Sequence, residues 1–267
     1  LFVYNVNIMY FSHVQRAYNI NKSLNTFIMK KLEYIYTSDN GQIVNVIQTK
    51  VSENSKIGIG YIMQTYHFSI DQIYDMNLTN DLKTCLNCPL SFNMNNNKTG
   101  GCYTHKGLQR LGLNSMLKRL NRLYTTGAII SYDSSKLDAF IIKVQDTYPL
   151  DLIRFGAYGE PIHLGEEVTT KLTSLTSNFT GYTHQYKKSS YKWSNKFFMA
   201  SVHDANDLSI ARFFDFRSFI AKDKDLTIEG VNCPASKEAK TNLSCIKCKL
   251  CNGTSKGIKK DIYINIH

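Results

Sequence analysis

Seven cysteines fall into two groups in this 267-residue chain, and none lies outside them. The first group is Cys85, Cys88 and Cys102, spaced C-x2-C-x13-C. The second is Cys233, Cys245, Cys248 and Cys251, spaced C-x11-C-x2-C-x2-C. A thiolate is a soft, charged ligand, so thiols bunched at turn-length spacing suit a soft metal that neutralises them. Structural zinc usually takes two separated cysteine pairs, whereas successive x2 spacings are what short loops need to wrap an iron–sulfur cluster. Pro234, directly after Cys233, also fits such a run, although there the proline follows the last cysteine. The spacing favours iron–sulfur over zinc and does not by itself decide. The three-cysteine group takes a fourth ligand from His105 or His67, or keeps an open position. An open position is what separates a catalytic metal centre from a structural one.

A second set of polar residues stands where short apolar runs end. Leu152-Ile153 is followed by Arg154-Phe155-Gly156-Ala157-Tyr158-Gly159-Glu160-Pro161. Gly156 and Gly159 permit close approach of backbone to a ligand, and Glu160 is placed to meet a cation or a hydroxyl. The next runs end in Thr183-His184 and Ser201-Val202-His203, and a further one begins at Arg217. Arg154, Glu160, His184, Ser201, His203 and Arg217 are therefore expected on one face, with Glu160, His184 and Arg154 as catalytic candidates and Gly156, Gly159, Glu160 and Ser201 as cofactor-binding candidates. Taken singly, each is as well explained as a polar group that caps a helix or ties a loop. Recurrence at successive strand ends is what points to function. No P-loop, dinucleotide fingerprint or nucleophile elbow occurs, and no nucleophile–base–orienter triad is legible.

These residues need a frame. Leu32–Thr37 and Gln42–Gln48 flank Asp39-Asn40-Gly41 and read as a hairpin. Ile57–Ser69 reads as a third strand. Ser91–Gly101, rich in Asn and Gly, reads as a mobile loop. Leu108, Leu111, Met116, Leu117, Leu120 and Leu123 recur at helical spacing beside Arg110, Lys118, Arg119 and Arg122, a basic amphipathic helix ending near Gly127. From about residue 137 strand-like and helical runs alternate: strand 151–157, helix 166–178, strands 181–184 and 197–202, helix 205–215, strand 217–221 and a closing strand 261–266. Alternation of this kind predicts an α/β fold with a parallel sheet, as a partial or distorted βα barrel. A β-rich N-terminal segment and a C-terminal cysteine knuckle flank it.

Composition bounds the rest. Apolar residues make up 43% and charged residues 20%, ordinary values for a globular domain. No apolar run reaches the ~20 residues of a membrane span. The odd cysteine count and close pairs argue against a disulfide framework and for a reducing, cytoplasmic compartment. A net charge of +11 favours an anionic partner, nucleic acid or a nucleotide first, with a solvated basic surface as the plain alternative. Residues 1–28 contain no Asp or Glu, so Met29 is expected as the native start, 1–28 as an extension, and 29–267 as one metal-binding domain.

The series Cys85-x2-Cys88…Cys102-Tyr103, Arg154–Pro161, Thr180–Gln185, Met199–Val202 and Cys233…Cys251 resembles a family of uncharacterised bacteriophage and mobile-element proteins, over roughly residues 40–267. The resemblance implies a setting in the cytoplasm of an infected host cell and supplies no activity. His203-Asp204 stands where it implies Asp-Ser, so it gives His203 no catalytic role. The chain is also similar, more distantly, to radical S-adenosylmethionine enzymes. That likeness implies a [4Fe–4S] cluster on Cys85, Cys88 and Cys102. It implies S-adenosylmethionine against Gly156, Gly159 and Glu160, and a second cluster on Cys233, Cys245, Cys248 and Cys251. The spacing C-x2-C-x13-C departs from the C-x3-C-x2-C of those enzymes. Three functions are thus expected in competition: an iron–sulfur, radical-type enzyme acting on a nucleotide or nucleic acid; a zinc-stapled nucleic-acid-binding protein of phage replication or host takeover; and a structural or interaction module.

Overall fold

The structure is a computed structural model that describes residues 31–94, 102–222, 230–236, 238–254, 257 and 260–265. The chain divides into two units, residues 1–32 and 33–267, and the second carries every cysteine and every candidate site residue. The expected extension 1–28, and residues 95–101 of the expected loop 91–101, lie outside the described residues.

The hairpin forms where the turn residues predict it. Strands β1 (Glu33–Thr37) and β2 (Ile43–Ser52) pair antiparallel. The turn between them is held by Ser38 and Asn40: the Asn40 side-chain oxygen accepts from the Ser38 hydroxyl and from the Gln42 N–H. β3 (Gly60–Ser69) pairs antiparallel with β2 over its whole length. Both strands are buried on both faces almost throughout, with the polar side chains of Asn45, Gln48, Gln64 and His67 buried among the apolar ones. Ser69 then opens a short helix, α1 (Ile70–Asp75), through a capping box with Gln72. A single turn, α2 (Leu82–Cys85), carries the first cysteine.

The basic helix is α3 (Gly107–Thr125), and it buries Leu113, Leu117 and Leu120 against Val44, Val46, Phe68 and Tyr158. Leu108 and Leu111, expected on that apolar stripe, are exposed instead. Only the middle of the helix, from Leu113 to Leu120, packs on the core, and its first six residues are exposed. A two-residue strand β4 (Ile130–Ser131) runs parallel to β1. It leads into α4 (Ser134–Thr147), capped by Asp133, whose carboxylate accepts from Ser135 and Lys136 N–H.

The second half alternates as expected. β5 (Leu152–Tyr158) pairs parallel with β3, and α5 (Gly165–Thr173) follows a 3-10 turn at Pro161–Leu164. α5 stops five residues before the expected end at Asn178. The hydroxyls of Thr173 and Ser174 turn back onto the carbonyls of Thr170 and Lys171, which competes with further helix. β6 (Phe179–Thr180) and β7 (Tyr182–Thr183) are separated by Gly181 alone. β6 pairs with β5, and β7 with β8 (Met199–Val202). α6 (Ala205–Phe213), capped by Asp204, leads to β9 (Ser218–Lys222). β10 (Val231–Asn232), the one-turn helix α7 (Cys245–Cys248) and β11 (Ile262–Asn265) complete the described elements.

The strand orders are β4-β1-β2-β3-β5-β6 in a mixed sheet and β10-β11-β9-β8-β7 in an all-parallel one. The fold is therefore α/β. Through Gly181, parallel neighbours run from β3 to β10, the arrangement a partial barrel needs; among the described residues the pairing does not close. No described helix is long and apolar enough to cross a membrane.

Candidate metal and ligand site

In a parallel sheet, polar residues that follow the strands gather at one end. Here Glu160 follows β5, His184 follows β7, His203 follows β8 and Cys233 follows β10. All four line one cavity of about 590 Å³, a volume suited to a small organic ligand. The other six cysteines line the same cavity. So do Arg154, Gly156, Gly159 and Ser201. Residues from six distant stretches of chain thus face one space. Arg217 is the exception among the expected face residues. It precedes β9, so strand direction puts it at the other end of the sheet, and its buried guanidinium is a tether.

The first cysteine group is held by direct bonds to the Glu160 turn. Cys85 N–H donates to the Asp81 carbonyl and Cys88 N–H to the Cys85 carbonyl, which sets the C-x2-C turn. The carbonyl of Thr84, next to Cys85, accepts from Glu160 N–H at 3.0 Å. Gly159 has φ +76°, and a Cβ there would meet Thr84 Cγ2 at 2.8 Å, so only glycine lets the two turns come this close. Asp81, fully buried, braces the far side of the turn. It accepts from Phe92 N–H at 2.7 Å, Asn93 N–H at 3.1 Å, the Asn93 amide at 2.9 Å and His105 Nε2 at 3.3 Å. Burial alone would raise its pKa, yet the hydrogen bonds from His105, Phe92 and Asn93 hold the carboxyl below the usual range.

In Asp81→Asn the amide would confront donors with a donor, and stability at neutral pH should fall by about 2–3 kcal/mol. Because the folded pKa is depressed, the wild-type contribution is present above the unfolded carboxyl pKa and lost as pH falls through the folded one. Urea midpoints of the two proteins should therefore differ at pH 7 and converge below about pH 4. Equal midpoints at pH 7 would show that Asp81 braces nothing.

Glu160 is buried, and its carboxylate is well occupied. Oε1 accepts from His184 N–H at 3.0 Å and from His184 Nδ1 at 2.9 Å; Oε2 accepts from the Thr183 hydroxyl at 2.7 Å. The other edge of the His184 ring faces Cys88, with Nε2 3.7 Å from Sγ, and His203, with Nε2 3.2 Å from Nε2. The two imidazoles are stacked, with planes 2° apart. Burial opposes charge on His184, but its bonds to Cys88 and Glu160 push its pKa up to about 10. Cysteine, histidine and carboxylate thus stand in line, a juxtaposition that residues 88, 160 and 184 do not disclose in sequence.

His105 and His67, the expected candidates for a fourth ligand, do not line the cavity. His67 is fully buried. Its Nδ1 lies 2.7 Å from the Asn45 side-chain oxygen and its Nε2 3.2 Å from the Thr65 hydroxyl, so both ring nitrogens are engaged. His105 turns its Nε2 to Asp81.

The second group is assembled from three directions. Cys233 N–H donates to the Tyr263 carbonyl on β11. Cys245 and Ile246 N–H groups donate to the carbonyls of Lys56 and Ile57, each at 2.9 Å. The Asn178 amide bridges the Asp151 and Ile246 carbonyls. Arg217 donates to the carbonyls of Leu250, Gly253 and Lys260. All seven thiols are free. Burial pushes up Cys85, Cys102, Cys245, Cys248 and Cys251, the last to about 12. The neighbouring thiols add to each shift. Cys88 and Cys102 act on Cys85, and Cys233 acts on Cys245, Cys248 and Cys251, so each group is gathered in space as well as in sequence. As they stand, no three His, Cys, Asp or Glu side chains among the described residues surround a common point.

The rest of the lining is in part aromatic and cationic. Phe155, Tyr182 and Phe219 supply rings, and Lys56, Arg154 and Lys249 supply charge. Arg154 donates to the Tyr103 hydroxyl at 2.5 Å, across from β5 to the residue after Cys102.

No protein family, curated protein or solved structure matches this chain.

Proposed function

We propose that this chain is a metalloprotein whose two cysteine groups hold metal on the wall of one cavity, and that it acts on a nucleotide-sized ligand bound between them. The observation that carries this reading is that all seven cysteines, from stretches as distant as residues 85 and 251, face a single cavity. Free thiols that are crowded enough to raise one another's pKa are costly to collect in one place. A soft cation removes that cost by taking the thiolates as ligands, so the donor set suits the group it would hold. Cys233, Cys245, Cys248 and Cys251 would hold an iron–sulfur cluster, which supplies one-electron chemistry.

The remaining lining suits a nucleotide. Tyr182 and Phe219, packed ring to ring, put aromatic surface on the lining for a base, while Lys56, Arg154 and Lys249 offer charge to phosphate. Arg154 orients the anion, with its own guanidinium steadied by Tyr103. Glu160 keeps His184 in one orientation. Its carboxylate already accepts three hydrogen bonds, which leaves little room there for the amino group of S-adenosylmethionine. The proposed function accordingly has no S-adenosylmethionine step.

Anaerobically purified protein is expected to be brown, with metal bound at both groups. Cys248→Ser with Cys251→Ser should abolish the colour and spare the metal at the first group. Chelation should lower the melting temperature, because metal-binding free energy is also folding free energy. A colourless protein carrying only zinc, whose affinity for DNA or RNA falls steeply with salt, would replace this reading with that of a nucleic-acid-binding protein. A protein that binds no metal would end both.

A further inference from the structure

We propose that His184 is a metal ligand, sharing a single ion with Cys88, and that Cys85 and Cys102 complete its set of donors. The inference rests on the metal reading above and goes beyond it by naming the ligand that the three-cysteine spacing lacks.

The orientation of His184 is the first argument. Its Nδ1 stands 2.9 Å from Glu160 Oε1, so the Nδ1–H stays with the carboxylate and Nε2 is the nitrogen whose proton a metal ion would displace. That nitrogen faces into the cavity toward Cys88 Sγ. A histidine that ligates metal through one nitrogen commonly donates the other N–H to a carboxylate, which sets the tautomer and the ring angle. Thr183 and the His184 N–H hold the same carboxylate, so it cannot swing away.

Distance is the second. A tetrahedral ion with metal–sulfur ~2.3 Å and metal–nitrogen ~2.0–2.1 Å sets its sulfur and nitrogen ligands about 3.6 Å apart. The Cys88 Sγ to His184 Nε2 separation is 3.7 Å. Ligands on different irons of a cluster stand farther apart, so this pair fits one ion. Cys85 and Cys102 line the same wall, and Cys85 shares the hydrogen-bonded turn that carries Cys88. Closing the set requires side-chain rotation at Cys85 and Cys102, since no three donors among the described residues yet surround a point. Cys102 would give up its contact with the Thr104 hydroxyl, and His184 its Nε2 contact with His203. Neither His67 nor His105 competes, because neither lines the cavity.

The test uses the full chain with Cys245→Ser and Cys248→Ser, so that the first group is read alone. Cobalt(II) and zinc serve as probes. The expected result is one equivalent of tetrahedral cobalt, with one imidazole and three sulfurs in the zinc X-ray absorption spectrum. His184→Ala should lose the imidazole signal and at least 100-fold in affinity. Glu160→Gln, acting through His184, should lose about 10–100-fold while keeping the imidazole. His184→Cys should keep the ion with four sulfurs, which guards against a variant that merely misfolds. An imidazole signal that survives His184→Ala, or an unchanged affinity, overturns the assignment of His184 and leaves the metal reading standing. Absence of any bound metal in the parent overturns both.

Discussion

Arg217→Ala is expected to lower the free energy of unfolding by about 3–5 kcal/mol, among the largest effects of any single substitution in this chain. Arg217 is only 3% exposed. Its Nη1 donates to the carbonyls of Leu250 at 2.9 Å and Gly253 at 2.8 Å, and its Nη2 to that of Lys260 at 2.8 Å. Nε reaches the same Lys260 carbonyl at 3.2 Å. Truncation would leave three carbonyls without this donor, that of Gly253 in a buried setting and those of Leu250 and Lys260 in partly buried ones, and charge-assisted bonds are the strong ones. The segment released is the one that presents Cys251, so thiol labelling of Cys245, Cys248 and Cys251 should quicken along with the loss in urea stability. Arg217→Lys should recover less than half, because one ammonium cannot span carbonyls that the planar guanidinium reaches in a fork. A loss under about 1 kcal/mol for the alanine variant would mean that water replaces the guanidinium freely.

Gly159→Ala should cost about 3–5 kcal/mol, from left-handed backbone strain and overpacking together. The added carbon would lie 2.8 Å from Thr84 Cγ2 and 2.9 Å from both the carbonyl oxygen and Cβ of His67. All of these are buried, so nothing can give way cheaply. Gly41→Ala separates the two contributions: its φ is +65°, with nothing within 4 Å of the added carbon. It should cost only about 1–2 kcal/mol. If the two variants melt alike, the approach of the Glu160 turn to the first cysteine turn is loose. Relief of the clash would push Thr84 outward, so Gly159→Ala should also quicken thiol labelling of Cys85 and Cys88, and Gly41→Ala should not.

Local features were the legible ones. Asp39-Asn40-Gly41 announced the hairpin because a turn depends on its own residues, and the leucine spacing announced α3. Strand ends bearing Glu160, His184 and His203 were readable because parallel strands point the same way. Arg217 was misread for the same reason: it begins its strand and therefore sits at the opposite end. α4 was missed because Phe140-Ile141-Ile142 is a β-favouring run, and only burial of Leu137, Phe140, Ile141 and Val144 on one face makes it a helix. The line of Cys88, His184 and Glu160 was beyond reach, since it joins residues 96 positions apart through a tertiary contact.

The order of strands in the parallel sheet has a consequence for biosynthesis. β11 comes after β10 in the chain yet lies between β10 and β9. That sheet cannot be completed until residues 262–265 have left the ribosome. The docking of Cys245 on Lys56 likewise waits on a very long-range encounter. Cys85, Cys88 and Cys102 are translated well before either event, so for a time they hang on a half-built nascent chain. A cell making this protein must keep those early thiols reduced if they are to reach the fold as the free thiols seen there.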